Sequence, residues 1–404
     1  MKIVMITVMT PAAENVRGTS ALPYHLLVHR DKGIRVELYS FNLNQLDEEQ
    51  VRQTARRLDV TIHILPIPKW YTWFFRLHLL VFRLLLSYPI GNYIKLKKAD
   101  VRRIRALEPD GIWIYGEELS RVSRQFSEYR RVHTLPDCES LYYYRMMGNR
   151  FGLSSARMYW RYALMYPKYV NMERRFDRGG NVSYHLVGKA DAEQLRTVSP
   201  GIRARFIRHP HYEIRHDDER GDGGFHAPVR ILVAGQNNVY MSQGARELVE
   251  VLCNKYKVED TDLRKHYELT FLGKGWETYA EHLRLVGWNV NVTRFAPDYI
   301  EEIRKYDIQI TPISIGTGTK GKVLDALANG LLVMGTEYAM ENIAVEHQES
   351  CIVYQDAAEV VSYLEDMVGN AERYERMALN GKRRVQELHG RELLSAEMFA
   401  LFDE

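Results

Sequence analysis

The chain has 404 residues, 46% of them apolar and 26% charged, which are globular proportions and length enough for two full hydrophobic cores. A net charge of +3 rules out wholesale nucleic-acid binding, and three scattered cysteines (Cys138, Cys253, Cys351) argue for reduced thiols rather than a disulfide framework. With no CxxC and no His/Cys cluster, no structural metal is expected.

Taken in order, the apolar run at residues 3–8 turns straight into a polar loop, so it reads as a buried first strand rather than a leader. The loop Asn15-Val-Arg-Gly18-Thr-Ser-Ala opens a helix over 21–29. Backbone at Gly18 is a candidate for approaching a phosphate or an acceptor; a plain helix start capped by Thr19 or Ser20 is the other reading. Strands are expected at 34–39, 60–65 and 111–115, with a basic helix over 99–107. That alternation implies a parallel sheet covered on both faces.

Residues 69–89 combine Trp, Tyr, Phe and Leu with Arg76 and Arg83, and Lys95, Lys97, Lys98, Arg102, Arg103 and Arg105 follow. The arginines interrupt the run too often for a bilayer span. Seven residues apart, they share a face of one expected helix, whose composition suits the headgroup region of an anionic membrane. A helix packed on the sheet with its arginines snorkelling outward is the alternative.

Three further spots invite chemistry. In Tyr115-Gly-Glu117-Glu118 either glutamate suits an acceptor hydroxyl, although surface glutamates are common. In Val132-His-Thr-Leu-Pro-Asp137-Cys-Glu139, Asp137 stands at an expected strand end, where α/β sheets place reactive groups; it also suits the N-cap of a helix over 141–146. His209 and His211 offer two ligands, which do not make a metal site.

Residues 213–228 are polar and glycine-rich and read as a linker between a domain at 1–212 and a second βα series at 229–385. That series has strands ending in Gly235 and in Gly-Lys274-Gly. A strand at 308–313 then leads into Gly316-Thr317-Gly318-Thr319-Lys320-Gly321-Lys322. Val323, Leu324, Leu327 and Ala328 fall at helical spacing, Gly330 ends the helix, and an apolar strand resumes at 331–334. Such glycines let backbone N–H groups approach a ligand, and two lysines beside a helix start suit a diphosphate. Asp325, one turn on, is a candidate acceptor for sugar or ribose hydroxyls. An ordinary turn with solvated lysines is the plainer reading. From 357 onward the pattern is helical, and residues 392–402 form a last amphipathic piece.

The glycine turn, the helix end Asp325-Ala-Leu-Ala-Asn-Gly330, the strand closing in Thr336 and the following Glu337 to Glu341 together resemble the C-terminal domain of GT-B glycosyltransferases. The likeness is closest to the family 4 group that builds bacterial surface polysaccharides, and it is firm from about residue 229 to residue 345. It implies an α/β fold of two Rossmann-like domains facing a cleft, with a helix over 386–404 crossing back to the N-terminal domain. The implied activity moves a sugar, with retention, from a nucleotide-diphosphate sugar on the C-terminal domain to a saccharide or lipid-linked acceptor on the N-terminal one. Neither a divalent metal nor another cofactor is implied, and the setting would be cytoplasmic, at the inner face of the cell membrane.

Carried onto this chain, the resemblance puts Lys320, Lys322 and the amides of Gly318 and Thr319 on the diphosphate. Gly18, Gly235, Lys274, Gly316 and Thr317 line the donor, Asp325 holds ribose, and Glu341 holds the donor sugar. Asp137, Glu341 and Lys320 are the catalytic candidates; Asp137 is the base if the reaction inverts and a hydroxyl-positioning group if it retains. The chain departs from the family pattern at Thr317 and Asp325, where two glutamates are usual, and at Pro136, where relatives often have His. Ala234-Gly-Gln-Asn-Asn-Val239 replaces the usual basic pair. A non-hydrolysing nucleotide-sugar epimerase and a non-catalytic GT-B module that binds nucleotide or a partner are the other readings.

Overall fold

The computed structural model describes residues 1–12, 21–77, 79–148, 153–211, 214, 224–258 and 261–404. They form two compact units, residues 1–210 with 391–404 and residues 211–390. Gly18, with its loop, and most of the expected linker lie outside the described residues.

In the first unit seven parallel strands form one sheet: β1 (Lys2–Thr7), β2 (Arg35–Ser40), β3 (Thr61–Ile64), β4 (Gly111–Tyr115), β5 (Arg130–Leu135), β6 (Val182–Leu186) and β7 (Ala204–Phe206). Their order is β3-β2-β1-β4-β5-β6-β7. Ile3, Val4, Met5 and Ile6 are all fully buried, as a strand covered on both faces requires, which is why this stretch is apolar without alternation. The helix Glu48–Leu58 starts at a capping box in which Asp47 accepts from the Gln50 amide and the Gln50 side chain accepts from the Asp47 amide.

The chain end belongs to this unit. Helix Arg391–Ala400 buries Leu394, Met398 and Phe399 among Ile3, Leu26 and Trp113. The Phe399 and Trp113 rings meet edge to face at 5.6 Å, and Ser395 Oγ donates to the Leu26 carbonyl at 2.8 Å. Gly111 begins β4 where a side chain has no room, since a Cβ there would lie 2.4 Å from Phe402 Cδ1.

Residues 69–89 are not one helix. An α-helix spans Lys69–Arg76 and a 3-10 helix spans Leu79–Leu85, so Arg76 and Arg83 do not share a continuous α-helical face. The Leu77 amide makes the last bond of the first helix, to the Trp73 carbonyl at 2.9 Å, and farther along Lys168 Nζ takes the carbonyls of Arg83 at 2.6 Å, Leu84 at 3.1 Å and Leu86, so that these do not serve a continuing α-helix. Of helix Lys69–Arg76, Tyr71 packs partly buried against the core cluster that includes Val4, Ile6 and Ile114. None of Lys69–Arg76 is buried, and Trp73 is 63% exposed. Among the described residues no helix is long and apolar enough to cross a membrane.

The second unit has β8 (Val229–Ala234), a short antiparallel pair β9 (Lys257–Val258) and β10 (Thr261–Asp262), then β11 (Tyr267–Leu272), β12 (Asn289–Thr293), β13 (Ile308–Thr311), β14 (Leu332–Gly335) and β15 (Ile352–Val353). Six of them form a parallel sheet ordered β12-β11-β8-β13-β14-β15. Chain order reverses between β8 and β13. In open α/β sheets the crevice outside the carboxyl ends of such a strand pair is where ligands bind.

Candidate functional site

Every described second-unit candidate lies on the stretch that follows a strand end on this edge, or in the helix after it. Gly235 follows β8, Lys274 follows β11, Gly316 to Lys322 follow β13 and lead into helix Gly321–Ala328, and Glu341 follows β14 and the helical turn Glu337–Met340. Hydrogen bonds tie these loops together. Asn237 donates its amide to the Lys274 carbonyl at 3.0 Å and its Nδ2 to the Gly275 carbonyl at 3.0 Å. The buried Trp276 indole donates to the Gly235 carbonyl at 2.7 Å. The Ser314 amide donates to the Tyr240 carbonyl at 2.9 Å, and Asn342 Nδ2 donates to the Gly318 carbonyl at 3.3 Å.

The loops approach too closely for side chains. Gly273 has φ +142°, and a Cβ there would stand 1.9 Å from the Gly235 carbonyl oxygen. A Cβ on Gly235 would meet Met241 Sδ at 2.6 Å and lie 3.9 Å from Lys322 Nζ. Thus the second lysine of the turn reaches over the end of β8, and its ammonium also lies 5.5 Å from the Tyr299 ring centre. Lys322 is exposed, as is Lys274 after the neighbouring strand β11.

Lys320 is half-buried at the turn. Its Nζ folds back onto the turn and donates to the Thr317 carbonyl at 2.7 Å and the Gly318 carbonyl at 2.9 Å. It therefore braces the backbone from within, while its position as N-cap makes no side-chain bond to the helix amides. Asp325 is wholly buried on helix Gly321–Ala328, and its backbone carbonyl accepts from Asn329 Nδ2 at 2.8 Å. Glu341 is half-buried beside Asn342. In sequence Asp260 and Asp262 form an Asp-x-Asp pair, and Asp262 ends β10 ahead of β11. Asp260 is outside the described residues; Asp262 bonds Arg264 at 2.8 and 2.7 Å, which holds its carboxyl down at about 2.

The first unit gathers its own candidates on the corresponding edge, after β4 and β5, where Glu117, Glu118, Asp137 and Glu139 are all half-buried. Burial, with the Glu118 charge beside it, pushes the Glu117 carboxyl up to about 8, and Asp137 and Glu173 add to the push. Burial likewise raises Glu118, and Glu139 well above the carboxylate range. Glu173, from the far end of helix Leu153–Glu173, accepts from the Ser140 amide at 2.9 Å and so anchors the helix start Glu139–Gly148. Asp191 accepts from the Cys138 amide at 2.8 Å. Sequence reading missed Glu173 and Asp191; nothing local marks them, because each is brought in by packing. His209 and His211 are both buried, and burial lowers His209 to about 4 while its Nδ1 pairs with the Pro210 carbonyl at 2.8 Å.

Residues 228–370 match the family model described as "Glycosyl transferases group 1". The whole chain is similar in fold to Anabaena Alr3699/HepE solved in complex with UDP (12% identity, all of both chains covered, TM-score 0.65). It is similar also to the same protein with UDP-glucose (11% identity, 99% of each chain, TM-score 0.60) and to TarM (8% identity, 100% of this chain and 99% of that one, TM-score 0.65). No curated protein matches the sequence.

Proposed function

We propose that this glycosyltransferase moves a sugar from a nucleoside-diphosphate sugar held on the second unit to a saccharide or lipid-linked acceptor bound by the first. One observation carries the donor assignment: the glycine turn after β13 brings the exposed Lys322 ammonium over Gly235, at the strand pair where the sheet order reverses. A diphosphate there meets a cation, backbone amides with no side chain in front of them, and the positive end of helix Gly321–Ala328. These groups are in place before any ligand arrives, so they stabilise charge on the leaving diphosphate without a reorganisation cost. Lys320 contributes by holding the turn in shape. The UDP and UDP-glucose complexes of HepE support a nucleotide-sugar donor.

In the transfer, an acceptor hydroxyl oxygen forms the new bond to the anomeric carbon, the carbon–oxygen bond to the diphosphate breaks, the nucleoside diphosphate leaves with the electron pair, and the hydroxyl proton passes to its departing phosphate oxygen. With retention of configuration, Asp137 positions acceptor hydroxyls and Glu341 steadies the donor sugar. The reaction runs without a divalent metal because lysine and helix amides supply the positive charge. Exposed Trp70, Trp73 and Leu85, with Arg76 and the lysines from Lys95 to Lys98, suit an anionic membrane surface, and a cytoplasmic enzyme at its inner face would meet a lipid-linked acceptor there. A thermal-shift panel of UDP-, GDP- and ADP-sugars tests the donor side, since a ligand that binds only the native state raises Tm. One nucleotide class should raise Tm and be released on turnover with acceptor. No shift with any of them, or isomerisation of the free donor sugar, would overturn the reading.

A further inference from the structure

The first unit contains a cavity of about 720 Å³ that the sugar-transfer reading leaves unused. It lies between the 69–91 segment and helix Leu153–Glu173, entirely within that unit. The helix contributes Arg157, Trp160, Arg161, Leu164, Met165 and Lys168, whose spacing of three and four residues places them on one face. Phe75, Arg83 and Leu84 line the other side. The rim is apolar and open, with Trp160 63%, Leu84 53% and Leu164 47% exposed.

Its charge is one-sided toward anions at the mouth. Arg157 and Arg161 are exposed on the helix face. The Arg83 guanidinium stands 4.8 Å from the Phe75 ring centre, and its Nε is buried with no hydrogen-bond partner. A buried guanidinium N–H without an acceptor costs free energy unless a ligand supplies one. Lys168, by contrast, spends its three N–H groups on the carbonyls of Arg83, Leu84 and Leu86, so it shapes the cavity wall and does not bind. Glu118 also lines the cavity; burial raises its carboxyl, and the Arg83 charge opposes that rise.

We infer that this cavity holds one molecule of a lipid diphosphate, its phosphates on Arg83, Arg157 and Arg161 and the first part of its hydrocarbon chain against Phe75, Leu84, Trp160 and Leu164. The volume falls within the roughly 300–1,000 Å³ of small-molecule sites and is far larger than an inorganic phosphate needs. Apolar walls alone would take any hydrophobe; three lining arginines, one of them Arg83 with its unpaired Nε, select one with a phosphate head. The inference rests on the reading that the acceptor is lipid-linked, and it places the acceptor's anchor on the same unit as Glu117, Glu118 and Asp137.

Calorimetric titration with farnesyl diphosphate, kept monomeric in solution, tests it on the full chain. Micromolar binding is expected, at least about tenfold tighter than farnesol or inorganic pyrophosphate. Arg83→Gln and Arg161→Gln should each weaken it about tenfold. Leu164→Glu, at an exposed rim position, should weaken it too while leaving affinity for the nucleotide-sugar unchanged. Equal binding of farnesol would reduce the cavity to a greasy groove, and equal competition by pyrophosphate would reduce it to a phosphate site; either overturns the inference. Absence of farnesyl diphosphate binding in a protein that still binds nucleotide-sugar overturns it and leaves the transfer reading standing, whereas loss of nucleotide-sugar binding in the wild type strikes the transfer reading itself.

Discussion

The two parallel sheets end in opposite chemistry. Beyond the strands of the second unit lie glycines, lysines and an uncapped helix start; beyond those of the first lie Glu117, Glu118, Asp137 and Glu139, flanked by aromatic surface. The basic edge is preorganised for an anion that arrives and leaves. The acidic edge holds carboxyls in a partly desolvated setting, where neutral acid and hydroxyl hydrogen bonding are favoured. In the proposed reading, the same topology serves a phosphate-rich ligand on one unit and a hydroxyl-rich ligand on the other. What differs is which residues follow the strands.

The largest expected effect comes from crowding the basic edge. Gly273→Ala would place a methyl 1.9 Å from the Gly235 carbonyl at φ +142°, so the loops after β8 and β11 must separate. A loss of at least about 3 kcal/mol in unfolding free energy is expected, read by denaturant titration. A variant of near wild-type stability would show that the loops do not rely on this contact. Lys320→Ala should act next. Removing two bonds to the Thr317 and Gly318 carbonyls costs about 1 kcal/mol each, lowers Tm by a few degrees and weakens donor binding roughly tenfold. A loss of donor affinity with no change in Tm would instead make Lys320 a direct phosphate ligand.

The acidic edge predicts a pH signature. The Glu117 carboxyl titrates near 8 folded against 4.5 unfolded, so between those values the unfolded chain has released a proton that the folded one keeps. That contribution to stability is fully present below 4.5 and is lost as pH rises through 8. Glu117→Gln should therefore flatten the fall of unfolding free energy over this window; an unchanged slope would place the titration elsewhere. The aromatic flank predicts an effect on membrane binding and none on the fold. Reversing Arg76, Lys95, Lys97 and Lys98 to glutamate should release the protein from anionic vesicles in co-sedimentation, as should added salt, at roughly 1 kcal/mol per charge. Wild-type protein that ignores such vesicles at low salt would end the membrane reading.

The two edges were also unequally legible in the sequence. The basic one is nearly contiguous: strand, glycine turn, two lysines and helix follow within some twenty residues, so periodicity and turn chemistry located it. Even so, the division of labour between Lys320 and Lys322 depends on where one flexible side chain folds, which spacing does not encode. The acidic edge draws Glu173 and Asp191 from helices far along the chain, and the lipid-sized cavity needs helix Leu153–Glu173 against residues 69–91. Those are long-range pairings with no local mark. The same applies to the carbonyls of Arg83, Leu84 and Leu86, which Lys168 holds from some eighty residues away.

Calorimetric titration of the nucleotide-sugar in EDTA, on wild type and Lys322→Ala, tests the central claim most directly. Lys322 is exposed, so its removal should leave Tm nearly unchanged. Donor binding should persist in chelator for the wild type and weaken roughly 10- to 100-fold in the variant, the worth of a charge-assisted contact. Equal affinity in the two proteins, or wild-type binding that vanishes in EDTA and returns with Mg²⁺ or Mn²⁺, would contradict a diphosphate site built from the lysine turn.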